Sequence, residues 1–133
     1  GYDNVAEQVK GLTDGKGVDM ALDSVGKISA DASLSSLKKR GWFVSYGNAS
    51  GPVDPIPPAR LSAGGSLVMT RPGLFHFIDT PEALASGAKL LFAALQAGTI
   101  KAEIGQRFPL VDVADAHRAL ESGKTTGATV LIP

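Results

Sequence analysis

Cysteine is absent from this chain. Its absence excludes disulfides, a thiol nucleophile and every cysteine-containing zinc site. Histidine is nearly as scarce: there are two, His76 and His117, well separated, so no metal site is expected. An excess of either charge is missing too, with Lys+Arg and Asp+Glu at 13 each. A nucleic-acid partner would need a basic face, so none is expected. There is no long hydrophobic run. The strongest, residues 89–97, is interrupted by Gln96 and falls well short of the ~20 apolar residues that span a bilayer, so no membrane partner is expected. No charged start leads into an apolar region and cleavage site, so nothing points to secretion and a cytoplasmic location is expected. Any redox chemistry would have to come from a bound organic cofactor.

What is present is enough for a folded domain: 133 residues, 44% of them apolar. The 16 glycines and eight prolines fall at element ends, apart from one cluster, Gly51-Pro52-Val53-Asp54-Pro55-Ile56-Pro57-Pro58. Three apolar, strand-like runs each break into a Gly- or Pro-containing polar turn. Val18-Asp19-Met20-Ala21-Leu22 leads into Asp23-Ser24-Val25-Gly26, and Trp42-Phe43-Val44-Ser45-Tyr46 into Gly47-Asn48-Ala49-Ser50-Gly51. Leu67-Val68-Met69 leads into Thr70-Arg71-Pro72-Gly73. With helical patterns between them, these runs predict parallel strands of an open α/β sheet. Ligands of such sheets bind outside the carboxyl ends of the strands, where these turns would offer amides and hydroxyls.

The helices are read from apolar spacing and end signals. Val5, Val9 and Leu12 predict a helix over residues 2–12. Ser29 is placed to cap a second helix with Ala30, Leu34 and Leu37 on its apolar face. That helix is expected to end in Lys38-Lys39-Arg40-Gly41, where cations suit the helix carboxyl terminus and glycine follows it. Residues 58–62 predict a short helical turn, and residues 66–70 the third strand. Thr80 and Pro81 open the clearest helix, with Leu84, Ala88, Leu91 and Leu95 as its buried stripe and Gly98 as its stop. Residues 101–110 read as extended. Asp112 is placed to cap a last helix with Val113, Ala116 and Leu120 inward, Gly123 closes it, and residues 128–133 form a final strand.

Four stretches in this order go beyond general α/β texture: residues 18–26 with Asp-Ser-Val-Gly, residues 44–51, Gly-Ser-Leu-Val-Met-Thr-Arg-Pro-Gly-Leu from residue 65, and residues 114–133 with Ala-Asp-Ala-His-Arg-Ala-Leu-Glu-Ser-Gly-Lys-Thr-Thr-Gly. Together they closely resemble the carboxyl-terminal part of NADPH:quinone oxidoreductases, the zinc-independent, zeta-crystallin-like branch of the medium-chain dehydrogenase/reductase superfamily. The resemblance covers nearly the whole chain. It implies the C-terminal half of a doubly wound Rossmann sheet, residues 1–98, and a segment returning to a GroES-like catalytic domain, residues 99–133. No Gly-x-Gly-x-x-Gly or Ala-x-x-Gly-x-x-Gly pattern occurs, so the family's pyrophosphate loop is not in this chain. The chain is therefore expected to be a fragment that is inactive alone.

The resemblance also implies a cofactor, NADPH, and the residues that meet it. Gly47, Asn48, Ala49 and Ser50 would line its nicotinamide-ribose end, and Ser24 its middle or adenosine side. Tyr2 matches a tyrosine near the adenosine. Pro72, Gly73, Leu74 and Phe75 match a segment that closes over the nicotinamide, with Gly73 standing where many relatives have Ser. Gly123 stands where many relatives carry Arg and could offer only backbone. No catalytic acid or base is assigned, and His76 and His117 are read as ordinary loop and helix histidines. The implied reaction passes reducing equivalents from NADPH to a quinone or another small electron-poor acceptor. The implied assembly is a homodimer through the edge strand at residues 66–70. Two other readings stand beside it: an enoyl reductase of the same superfamily, and a non-catalytic half-domain for binding or assembly.

Overall fold

The computed structural model describes residues 1–133, which form two compact units, Gly1–Phe77 and Ile78–Pro133. In the first unit the order is helix α1 (Val5–Leu12), strand β1 (Val18–Asp23), helix α2 (Ala30–Ser35), strand β2 (Leu37–Ser45), helix α3 (Pro58–Ala63) and strand β3 (Val68–Thr70). A 3₁₀ turn, Leu74–His76, follows. The three strands are parallel in the order β1-β2-β3, as the alternation of strand-like and helical patterns predicts.

The core of this unit lies on one face of the sheet. Phe43, on the central strand, is wholly buried, packed with Ala30 and Leu34 of α2 and with Leu37 and Leu67. Val53 and Ile56 of the proline-rich connection and Leu61 of α3 pack against the same cluster. Met20, Trp42 and Val68 stand level across the three strands, one residue out of phase with Phe43, and all three are exposed.

The expected end of the second helix is corrected here. Helix α2 stops at Ser35, and Lys38, Lys39 and Arg40 belong to the entry of β2. Leu37 pairs with Val18 while the next strand partner, Met20, pairs with Trp42, so residues 38–41 bulge out of the ladder. Burial of Leu37 in the core draws the chain out of the helix before the basic residues begin. Arg40, with φ 61°, takes the left-handed turn, and its amide donates to the Gly65 carbonyl at 2.8 Å.

The second unit contains helix α4 (Pro81–Gln96), strand β4 (Ile104–Pro109), a 3₁₀ turn (Leu110–Asp112), helix α5 (Val113–Glu121) and strand β5 (Ala128–Ile132). Strands β4 and β5 pair in parallel, and Ala116 is buried. Thr80 caps α4 as its sequence predicts, its hydroxyl accepting from the Ala83 amide at 3.1 Å. Asp112 occupies the cap position of α5 but makes no side-chain cap bond. The expected buried stripe of α4 is not buried: Leu84 and Leu91 are about half exposed and no residue of the helix is buried. Helical periodicity marks an apolar face, but burial needs a neighbour to cover it. The same applies to Val113 and Leu120 on α5, both exposed. No helix is long and apolar enough to cross a membrane.

Candidate functional site

The carboxyl ends of β1 and β2 converge on one knot of hydrogen bonds, organised by the buried carboxylate of Asp23. One carboxylate oxygen accepts from the amides of Val25 and Gly26, both at 2.9 Å, which closes the Asp-Ser-Val-Gly turn. The hydroxyls of Ser29 and Ser33 donate to the same carboxylate at 2.8 and 2.7 Å. Ser29 is thus at the cap position of α2, but its hydroxyl serves Asp23 and no helix amide. Burial pushes the Asp23 pKa up, but the hydrogen bonds from Ser33, Gly26, Ser29 and Val25 outweigh it and hold the group below the usual carboxylate range.

The turn after β2 is laid directly on the turn after β1. The amides of Tyr46 and Gly47 donate to the Asp23 carbonyl at 2.8 and 3.3 Å, Ala49 to the Ser24 carbonyl at 3.2 Å, and Ser50 to the Val25 carbonyl at 2.7 Å. The Ser50 hydroxyl donates to the Val25 carbonyl at 2.7 Å and accepts from the Ile28 amide at 3.1 Å. The sequence suggests amides free for a ligand, yet those of Ala49 and Ser50 are already used within the protein. The contact is so close that a Cβ on Gly47 would fall on the Ser24 carbonyl oxygen. Gly26, at φ 91°, faces the same limit against Gly51 and also needs glycine's backbone freedom.

Two of the residues singled out in the sequence, Tyr2 and Ser24, meet in one hollow of about 190 Å³ that Asp23, Ser29 and Ser33 also line. Gly47, Asn48, Ala49 and Ser50 form the adjoining turn, with Asn48 and Ala49 exposed. Pro72, Gly73, Leu74 and Phe75 follow β3, Leu74 and Phe75 being 66% and 79% exposed. Gly123 lies in the second unit, at φ 67° just past α5, where it ends the helix.

Two residues matter here that sequence reasoning missed. Asp23 had a faint signal, since Ser29 and Ser33 lie one helical turn apart and can point at one acceptor. Arg71 had none. Its Nη1 donates to the Ser45 carbonyl at 3.0 Å, the Ser45 hydroxyl at 3.2 Å and the Gly47 carbonyl at 3.0 Å, tying the end of β3 to the turn after β2. These partners are more than twenty residues upstream and carry no pattern that names Arg71.

Among known proteins, the quinone oxidoreductase of Pseudomonas aeruginosa is 48% identical over 132 residues, 99% of this chain and 41% of its own length. The 2-haloacrylate reductase of a Burkholderia species is 41% identical over 129 residues, 96% of this chain and 39% of its own length. The crystal structure of Escherichia coli quinone oxidoreductase complexed with NADPH superposes with a TM-score of 0.88 at 40% identity, covering 98% of this chain and 41% of that one. The chain thus spans about two fifths of the length of the relatives it matches. The family profile described as zinc-binding dehydrogenase matches residues 2–131. A match over nearly the whole length, onto parallel strands whose carboxyl-end turns interlock, places the chain in the zinc-binding dehydrogenase family.

Proposed function

We propose that this chain is the nicotinamide-side part of an NADPH-dependent oxidoreductase that delivers reducing equivalents to a quinone. The observation that carries the reading is the interlock of the Ser24 and Gly47 turns at the carboxyl ends of β1 and β2, where an α/β sheet receives a dinucleotide. NADPH, when bound, supplies the hydride. The chain's own residues bind it, orient it and keep water from it. Gly47, Asn48, Ala49 and Ser50 line the nicotinamide-ribose end, Ser24 and Tyr2 the middle and adenosine side, and Pro72, Gly73, Leu74 and Phe75 close over the ring. Gly123 offers backbone only. Residues 1–98 belong to the coenzyme domain and residues 99–133 to the catalytic domain.

Despite the family's description, these residues do not fit a zinc ion. The chain has no cysteine, and no three His, Asp or Glu side chains gather closely enough to hold a metal.

The glycine-rich pyrophosphate loop is not among these 133 residues. The chain alone is therefore expected not to turn over, while a longer polypeptide with an upstream glycine-rich strand–helix unit is expected to oxidise NADPH when quinone is added. The protein is expected in the cytoplasm, as a homodimer joined at β3, whose Val68 and Met69 are exposed on the sheet edge. A second reading is reduction of an electron-poor alkene, favoured by the 41% identity to a 2-haloacrylate reductase. The test is NADPH oxidation by the longer polypeptide with a benzoquinone and, separately, with 2-chloroacrylate. Faster turnover of the quinone supports the first reading and faster turnover of the alkene the second. No oxidation with either overturns both.

A further inference from the structure

Five of the six residues from Tyr46 to Gly51 spend their amide protons inside the protein. Tyr46 and Gly47 donate to Asp23, Ala49 to Ser24, Ser50 to Val25, and Gly51 to the Asn48 carbonyl. The Asn48 N–H is the exception, with no acceptor in the chain, and the residue is exposed. Its direction is nevertheless set. The peptide between Gly47 and Asn48 is a rigid trans plane, so the Gly47 carbonyl and the Asn48 N–H point in opposite directions. Arg71 holds that carbonyl at 3.0 Å while gripping both oxygens of Ser45, a residue that is 2% exposed.

We propose that Arg71 is a positioning residue that aims the Asn48 N–H outward as the main-chain donor of this turn for the bound dinucleotide, acting through the Gly47–Asn48 peptide. The inference rests on the cofactor reading above and sharpens it, since it selects Asn48 over Ala49 and Ser50 as the main-chain contact. Arg71 suits this role chemically. The planar guanidinium stays charged at every working pH and fixes the direction of its N–H bonds, so Nη1 alone can hold the Ser45 and Gly47 carbonyls at a set angle. A lysine ammonium would also offer one nitrogen, but its donors rotate on a flexible stem and would hold the same carbonyls less firmly. The Gly47 turn cannot compensate by moving inward, because its backbone already lies against Ser24. Loss of Arg71 therefore frees the peptide to swing without unmaking the core around Phe43, which lies on a different set of contacts.

The experiment uses the whole protein, with NADPH as the probe. Arg71→Met removes the donors but keeps much of the stem. It is expected to weaken NADPH binding about tenfold, the scale of one charge-assisted hydrogen bond, to leave kcat with saturating NADPH within about twofold, and to be partly rescued by added ethylguanidinium. Arg71→Lys should fall between wild type and Arg71→Met. In NMR spectra of the wild type, NADPH should shift the Asn48 amide resonance more than those of Ala49 and Ser50. Even without NADPH, Arg71→Met should disturb Asn48 more than its neighbours. Unchanged NADPH affinity in Arg71→Met, or a loss that ethylguanidinium does not restore and that tracks a general fall in thermal stability, overturns the inference while leaving the cofactor reading in place. Failure of the wild type to bind NADPH overturns the cofactor reading, and this inference with it.

Discussion

Ser33 donates its hydroxyl proton to Asp23 at 2.7 Å, joining the middle of α2 to the end of β1 across ten residues of chain. With Ser29 beside it, the helix is fastened to the strand by side chains, and the loop between them has little freedom left. The same carboxylate closes the Val25–Gly26 turn, so one buried charge sets both the helix and the turn that lines the candidate site.

That arrangement predicts a pH dependence. The folded pKa of Asp23 lies below the unfolded value of about 3.9, so the ionised group stabilises the fold above that pH. This stabilisation is lost as pH falls through the folded pKa. Asp23→Asn should cost roughly 1.5–3 kcal/mol at neutral pH, the range for hydrogen bonds to a charged group, and should flatten the decline in melting temperature below about pH 4. Thermal melts over an acid pH series check this. An equally steep decline in the Asn variant would show that other carboxylates are responsible.

Gly47→Ala should strike the site more than the core. Its Cβ meets the backbone of Ser24, which cannot rotate out of the way as a flexible side chain could. The turns after β1 and β2 must separate, at a cost of about 1–3 kcal/mol by the usual penalty for overpacking. NADPH affinity is expected to fall at least as much as stability does. A variant with normal melting and normal NADPH binding would mean that the two turns need not touch.

Phe43→Ala removes the one large side chain that is fully buried. Urea denaturation should show a loss of about 3–5 kcal/mol, or failure to fold. Leu12→Ala is the control, because Leu12 is 88% exposed and its truncation should change stability by less than about 0.5 kcal/mol.

The proposed edge-to-edge dimer is tested by Val68→Lys. Val68 is 37% exposed on the edge strand β3, and a lysine there repels its copy across a two-fold contact. Sedimentation should show the wild type as a dimer and the variant shifted towards monomer. A variant that sediments as the wild type does would move the interface elsewhere.

Local chemistry made much of this fold legible. Thr80 and Pro81 mark the start of α4 because a hydroxyl cap and a residue without an N–H satisfy a helix end without outside help. The apolar runs at Val18 and Trp42 read as strands because each is short and breaks into a polar, glycine-containing turn. The candidate turns were legible for a similar reason: small residues following a strand leave room for close backbone approach.

Contacts between distant residues were a different matter. Lys38, Lys39 and Arg40 look like a helix terminus, but the pull of Leu37 into the core and its pairing with Val18 placed them on a strand. The stripe on α4 announces an apolar face without saying what covers it. Asp23 and Arg71 acquire their meaning only from partners that folding brings to them. Most element types and turn positions follow from forces acting within a few residues and were legible in this chain's order of amino acids; residues 37–40 were not, because a tertiary contact decided them. Which amide stays open, which charge is buried and which carbonyl an arginine holds depend on packing between separate segments of the chain, and those were settled only by the tertiary structure.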